Sequence, residues 1–428
     1  MRMADGIFDA DIAPWLRLLH TPGVGAVSAA ALLKAFGTPA QIFRQPVAVL
    51  AEHVGLAKAR ALQAEPPNWE QEREKARIWL QQPQESDAQG VPVTARAIWT
   101  LHDPRYPPAL REIADPPVLL YVQGKPQWLC GQPLWHEQML AAVAMVGSRS
   151  PTPQGILNAR QMANQLQQMG MVVVSGLALG IDAAAHEGAL QQPVELAPPT
   201  IAVLGTGIDR IYPRQNLALA QAIARHGLVV SEQPLGTAPQ AHHFPRRNRI
   251  VTGICQGTLV VEAALKSGSL ISARLALEQG REVFAIPGSI HSVHARGCNG
   301  LIKQGARLVE NVQDILDELP QVFERLEGLR GSVAITDPVR EMSHSSVKDH
   351  PVPISAALVK APAPIVSRVQ TTHARLLDAM GTEPVSLDTL EARLGYSAAE
   401  LLAQLLELEL EGDVQRMPGG WFQRLFMV

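Results

Sequence analysis

The stretch VAMVGSRSPTPQG, Val143 to Gly155, reads as a buried strand that breaks into a turn and restarts as a helix. Its apolar run ends at Gly147. Ser148 and Arg149 then fall at the carboxyl end of a strand facing a helix amino terminus, where an open parallel α/β sheet places its ligands. Thr152 can cap that helix, and Pro153 suits its first position because no amide hydrogen is needed there. A glycine lets a ligand approach the backbone, free helix amides favour an anion, and Arg149 adds a forked cationic donor. The combination suits a phosphate. GSR lacks the GxGxxG spacing of a dinucleotide site, however, and the same corner also serves as plain structure.

Working outward from this corner, apolar strands alternate with helices. MVVVSGLALGIDAAAHEGAL supplies a strand, a glycine turn and a helix for which Asp182 is the expected cap. TIAVLGTG, LVVSEQP, GTLVVEA, EVFAIPG and ARLVE follow as further strands, with RQNLALAQAIARHG, ISARLALEQG and NGLIKQG as helices. Strands that are apolar at successive positions, separated by amphipathic helices, mean a parallel sheet covered on both faces. The expected fold class is α/β, a doubly wound (Rossmann-like) parallel sheet, over residues 95–319. AIWTLHDPRYPPALREIADPPVLLYVQG, ahead of it, is strand-like at both ends and is expected as an extra piece packed on the sheet.

Residues 1–90 read as a small helical domain of helix-hairpin-helix or SAM-like type, with Pro22, Gly23, Val24 and Gly25 linking two apolar-periodic segments and a weaker echo at Val54 to Leu56. Such a hairpin either grips a DNA phosphate through exposed amides or is an αα corner that needs glycine for its geometry. Residues 320–370 turn to Pro, Ser, Ala and scattered charge, as a flexible linker does. Residues 371–428 outline a winged helix, three helices and then two strands around a Pro-Gly-Gly turn. Glu400, Glu407, Glu409, Glu411 and Asp413 lie on and after its third helix, where they would repel phosphate, so a protein-contact or regulatory role is favoured.

The 428 residues, 46% of them hydrophobic, can bury a large core divided among domains. MRMADGIFDADIAP carries neither a signal nor a transit peptide and no apolar run reaches membrane-spanning length, so a cytoplasmic protein is expected. Cys130, Cys255 and Cys298 form no CxxC pair, which signals neither disulfides nor a metal site, and they are expected to pack. A net charge of -3 hides a partition: Ala241 to Arg307 holds nine Arg and Lys against three Glu, whereas Thr371 to the end holds four basic and nine acidic residues. A polyanion belongs on the first of these.

Several strand ends carry residues of one kind. Ser175, Gly176 and Gly180 are small enough to let a ligand backbone lie close, and Gly205 to Gly207 repeat the device. AHHFPRRNRI then offers Phe244 with Arg246, Arg247 and Arg249 around Asn248, and Lys266 and Ser267 stand at another helix start. An aromatic ring beside arginines suits single-stranded nucleic acid, because a base stacks on the ring while cations follow the backbone. Each has a plainer reading: Phe244 as core, the arginines as a solvated helix face, His186 as a supporting histidine, and adjacent His242 and His243 as a poor metal pair. Glu262 is either a catalytic acid or a group that orients an arginine. No GxSxG, Walker or HExxH sequence occurs, so no catalytic residue, cofactor or metal is expected. A nucleotide-processing enzyme of phosphoribohydrolase type remains an alternative through Gly257, Thr258 and Glu262, and a scaffold that mainly docks partners is a third.

In order, GSR, SGLALGIDAAAH, LGTGIDRIYP, SEQPLG, FPRRNRIVTG, VVEAALKSGSLISA, GREVFAIPG and GCNGLIKQGA resemble the DprA/Smf (DNA processing protein A) family, from about Trp99 to Glu310. The resemblance implies a protein that binds incoming single-stranded DNA during natural transformation, protects it, and loads the RecA recombinase onto it. It also implies a homodimer through the α/β domain. The family's motif residues fall on Arg149, on Phe244, Arg247, Asn248 and Arg249, and on Lys266. LQQPVELAPP looks like an insertion relative to the family, and the acidic winged helix departs from a DNA-binding one.

Overall fold

The structure, a computed structural model, describes residues 8–82, 85–130, 141–194, 197–320, 368–381, 384–417 and 419–425. These residues fall into two compact units, one before and one after residues 321–367, so most of the linker expected at 320–370 lies outside the described residues.

The first unit is built on nine strands: β1 (Ala95–Thr100), β2 (Leu119–Gly124), β3 (Ala142–Val146), β4 (Val172–Ser175), β5 (Thr200–Leu204), β6 (Leu228–Ser231), β7 (Gly257–Val260), β8 (Glu282–Ala285) and β9 (Arg307–Leu308). Their order is β1-β2-β6-β5-β4-β3-β7-β8-β9. From β6 to β9 every pairing is parallel, as the apolar runs require, and β3, β4 and β5 are buried along their whole length. The proline-rich piece does not pack on the sheet. Its two strand-like ends pair with each other antiparallel, from Ala95 opposite Gly124 to Thr100 opposite Leu119, and β2 then extends the sheet by pairing antiparallel with β6.

Helices cover both faces. Ahead of the sheet come α1 (Ala13–His20), α2 (Ala26–Phe36), α3 (Pro39–Ile42), α4 (Val47–Val54), α5 (Leu56–Gln63) and α6 (Trp69–Gln81). The expected hairpins sit at α1–α2 and α4–α5, where Gly55 adopts a φ of +82°. This helical segment shares one hydrophobic core with the sheet. Trp79 meets Tyr121 edge to face at 5.6 Å and Trp15 meets His102 at 4.9 Å. Trp15, Trp79 and Tyr121 are buried, and burying a large apolar side chain contributes roughly 1.5–3 kcal/mol, which ties α1 and α6 to the sheet edge. Within and after the sheet run α7 (Pro108–Arg111), α8 (Pro126–Cys130), α9 (Pro153–Gln168), α10 (Ile181–Ala189), α11 (Leu217–His226), α12 (His243–Ile254), α13 (Ser269–Glu278), α14 (Arg296–Lys303) and α15 (Val312–Asp317). Cys255 and Cys298 are buried among them.

The second unit is a winged helix: α16 (Arg368–Met380), β10 (Val385–Ser386), α17 (Leu387–Leu394), α18 (Ala398–Glu411), β11 (Val414–Met417) and β12 (Trp421–Arg424), with sheet order β10-β12-β11. Leu401, Leu405 and Leu408 of α18 enter its core with Leu376, Leu390 and Phe422. A capping box starts α18, in which Ser397 Oγ accepts from the Glu400 amide and the Glu400 carboxylate accepts from the Ser397 amide. Among the described residues, no helix is long and apolar enough to cross a membrane.

Candidate nucleic-acid interface

Strand β3 is flanked by β4 on one side and β7 on the other, so the chain reverses its direction of winding between β3 and β7. At such a switch point the loops diverge and leave a crevice at the carboxyl ends of the strands. A cleft of about 410 Å³ lies there, bringing Arg149, Phe244, Arg247, Asn248, Lys266 and Ser267 together. A smaller hollow of about 150 Å³ adjoins it, sharing Arg149, Phe244 and Arg247 and adding Gly176, Leu179 and Tyr212.

The helix behind the first loop forms as its sequence predicts. Thr152 Oγ1 accepts from the Gly155 amide at 3.0 Å and Pro153 opens α9. The Glu262 carboxylate, at the end of β7, accepts from the Thr152 amide at 3.0 Å and from its hydroxyl at 2.5 Å. Glu262 therefore secures the start of α9, and the acid weighed for a phosphoribohydrolase is engaged in holding two loops together. Arg149 and Lys266 are different. Both are exposed, and neither makes a hydrogen bond or ion pair with a described residue. They enter from separate strands and are available to an anion.

Arg247 is turned inward. Its Nη1 donates to the carbonyl oxygens of Gly176, at 2.5 Å, and Val203, its Nε donates to Asn248 Oδ1, and only 3% of the residue is exposed. A Cβ on Gly176 would stand 2.3 Å from Arg247 Nη2, so the missing side chain makes room for a guanidinium and not for a ligand backbone. Gly205 serves Phe244 likewise, since its Cβ would meet the ring at 2.9 Å. Burial lowers Arg247 to about 10, with Arg149 acting in the same sense and Asp182 opposing both. It is charged at neutral pH.

Asp182 is not the cap of α10. That position belongs to Gly180, while the Asp182 carboxylate reaches back to accept from the Gly176 and Ala178 amides at 3.1 and 3.3 Å. Burial pushes its carboxyl up; Arg247, the two amides and Arg149 pull it down. Within the same turn Leu177 holds a φ of +59°, costly for a branched residue, and Asn216 Nδ2 clamps it by donating to the Leu177 and Ala178 carbonyls at 2.9 and 3.1 Å. The wall behind the cleft is thus a preset backbone turn braced by Asp182, Arg247 and Asn216. His186 supports it from below. Its Nδ1 lies 2.6 Å from Thr200 Oγ1, and burial drives its pKa down to about 3, so the ring is neutral.

The remaining candidates divide. Phe244 is half-buried and faces both hollows, with its ring 5.5 Å from Tyr212, so it is a wall and not core. Ser175 is buried with its hydroxyl donating to the Met145 carbonyl at 2.6 Å, and it braces the sheet. Arg249 points away, paired with Glu232 and, at 3.1 Å, with Asp115. Arg246 is exposed on a separate cavity of about 210 Å³ beneath the α1–α2 hairpin, beside Val24, Gly25 and Glu232. Neither Arg246 nor Arg249 joins the cleft. Tyr212 is not among the residues singled out from sequence, although an aromatic in the loop LGTGIDRIYP, five positions after Gly207 at a strand end, is the signal that marks it.

Among known proteins, a family model described as DNA recombination-mediator protein A matches residues 97–320, and one described as DprA winged helix domain matches residues 360–420. The chain is 36% identical over 329 residues to Protein Smf of Synechocystis, covering 76% of this chain and 79% of that one. It is 38% identical over 317 residues to Protein Smf of Escherichia coli, covering 74% of each. The X-ray structure of DNA processing protein A (DprA) from Streptococcus pneumoniae superposes with a TM-score of 0.58 at 33% identity, covering 74% of this chain and 99% of that one. With half of its length matched by the family model and two long relatives above 30% identity, the chain belongs to the DprA/Smf family of DNA recombination-mediator proteins.

Proposed function

We propose that this protein binds single-stranded DNA in the cleft at the β3–β7 switch point, in the cytoplasm, protects strands taken up during natural transformation, and loads the RecA recombinase onto them. The observation that carries the reading is the pair of unpartnered cations, Arg149 and Lys266, flanking the exposed faces of Phe244 and Tyr212. Cations that follow a phosphate backbone beside rings on which bases stack make a single-strand site without sequence preference. Arg149 and Lys266 take phosphates, and Ser267 and Asn248 line the path between them. One base enters the smaller hollow against Phe244 and Tyr212. Arg247 shapes that hollow from behind and contacts no phosphate. Family membership supports the RecA partnership and a homodimer joined through the α/β unit, which lengthens the track for one strand.

The test is a salt series of oligothymidylate binding. Each phosphate neutralised on a single strand contributes about 0.7 to the slope of log affinity against log salt. Replacing Arg149 and Lys266 by Ala should flatten the slope by about 1.4 and weaken binding to every sequence alike. Phe244→Ala and Tyr212→Ala should each lose about 1–3 kcal/mol of binding with the slope unchanged. An Arg149→Ala, Lys266→Ala protein with the wild-type slope and affinity would overturn the assignment.

A further inference from the structure

Helix α18 carries two leucine stripes. Leu401, Leu405 and Leu408 face inward and are at most 1% exposed. Leu402, Leu406 and Leu410, spaced four apart on the opposite side, are 41%, 58% and 82% exposed. At about 1.5 Å per residue the outer stripe runs about 12 Å, a continuous apolar ridge on a third helix that in winged helices commonly enters a DNA groove. Isolated exposed leucines need no explanation, but three in register on one face do.

Charge decides what can cover the ridge. AAELLAQLLELELE contains four Glu and no Lys or Arg. Going round the helix, Glu409 borders the ridge on one side and Glu407 and Glu411 on the other, and Asp413 follows just past the helix end, all exposed. Glu407 is met by His373, whose Nε2 lies 3.0 Å from its carboxylate; the other three make no ion pair among the described residues. A DNA backbone would be repelled along the whole helix. A second copy laid ridge to ridge would bring acidic borders against each other, which disfavours self-pairing. A protein segment of the opposite pattern fits.

We propose that the outer face of α18 is a docking surface for a basic amphipathic helix of a partner protein, with apolar residues at i and i+4 seated on Leu402, Leu406 and Leu410 and flanking Lys or Arg paired with Glu409, Glu411 and Asp413. The arrangement is the helix-on-apolar-face mode of recognition, with acidic borders setting orientation and encounter rate. It is independent of the cleft in the α/β unit.

The experiment uses the full chain and a fluorescent helical peptide with leucines four apart and lysines on both flanks, read by anisotropy. A scrambled peptide of the same composition and a duplex oligonucleotide serve as the comparison probes. The patterned peptide should bind, more weakly as salt rises. Leu406→Ser with Leu410→Ser should weaken it by about tenfold or more, and Glu409→Gln with Glu411→Gln should remove most of the salt dependence. Single-strand binding and the melting temperature should stay at wild-type values in both variants, since the altered side chains are exposed. Equal binding of the scrambled peptide, or no loss in the leucine variant, would overturn the proposal. So would self-association that disappears in the leucine variant, which assigns the ridge to a second copy, or duplex binding lost in Arg416→Ala while the peptide stays unbound.

Discussion

Replacing Arg247 by Ala separates a buttress from a ligand-binding arginine. The guanidinium donates to two carbonyls, on Gly176 and Val203, and its charge favours the ionised Asp182 carboxylate, with almost no exposure. Its loss leaves both carbonyls unpaired in a buried space and strips Asp182 of its main counter-charge. Hydrogen bonds from a charged donor are worth about 1.5–3 kcal/mol each. Two are lost together with the favourable charge near Asp182, so the expected loss is about 3–5 kcal/mol, a large part of the 5–15 kcal/mol typical of a folded domain. Urea denaturation of the full chain, followed by the fluorescence of the buried Trp99 and Trp79, measures it. Single-strand affinity should also fall, because the Gly176–Ala178 turn relaxes, but the salt slope of what binding remains should match wild type. A variant with unchanged urea midpoint and a slope flattened by about 0.7 would show that Arg247 meets phosphate, and the division of roles would be wrong.

Two further outcomes follow from the buried ionisable groups. His186 is held neutral, its pKa lowered from 6.5 to about 3, so below pH 6.5 the unfolded chain takes up a proton that the folded one refuses. Its contribution to stability is therefore present above pH 6.5 and is lost as pH falls toward 3, at up to about 1.4 kcal/mol per pH unit; His186→Gln should show a shallower loss across that window in urea titrations, and identical slopes would refute the linkage. Arg249→Ala should destabilise by about 3–5 kcal/mol, because Glu232, nearly buried, loses its partner. Oligonucleotide affinity per folded molecule should stay unchanged, and a drop with a flatter salt slope would return Arg249 to the cleft.

The parallel sheet was legible because strands covered on both faces must be apolar at successive positions, a pattern few other structures share. The antiparallel extension was not, because AIWTLHDPRYPPALREIADPPVLLYVQG separates its two strands by prolines, and only the β1–β2 register and the free edge of β6 decide that it prolongs the sheet. The corner at Gly147 to Thr152 was legible from local chemistry, since capping and the proline preference act within a few residues. Among the arginines, composition could not say which are buried. Arg247 and Arg149 differ only in where the carbonyls of Gly176 and Val203 converge, and that depends on β4 and β5 standing side by side. Gly176 and Gly205 illustrate the same limit: both are required to be small, but by Arg247 and Phe244 and not by a ligand. Asp182 misled for a similar reason, as a carboxylate near a helix start can serve the preceding turn as well as the helix.

In the proposed complex a strand of DNA passes between Arg149 and Lys266 with a base against Phe244 and Tyr212. Ultraviolet crosslinking of the full chain to oligothymidylate, with the adducts located by mass spectrometry of the peptides, tests this most directly. Adducts at Phe244 or Tyr212 that vanish in the Arg149→Ala, Lys266→Ala protein are the predicted result. Efficient crosslinking confined to other segments, such as the α1–α2 hairpin or the winged helix, with none at either ring, would contradict it.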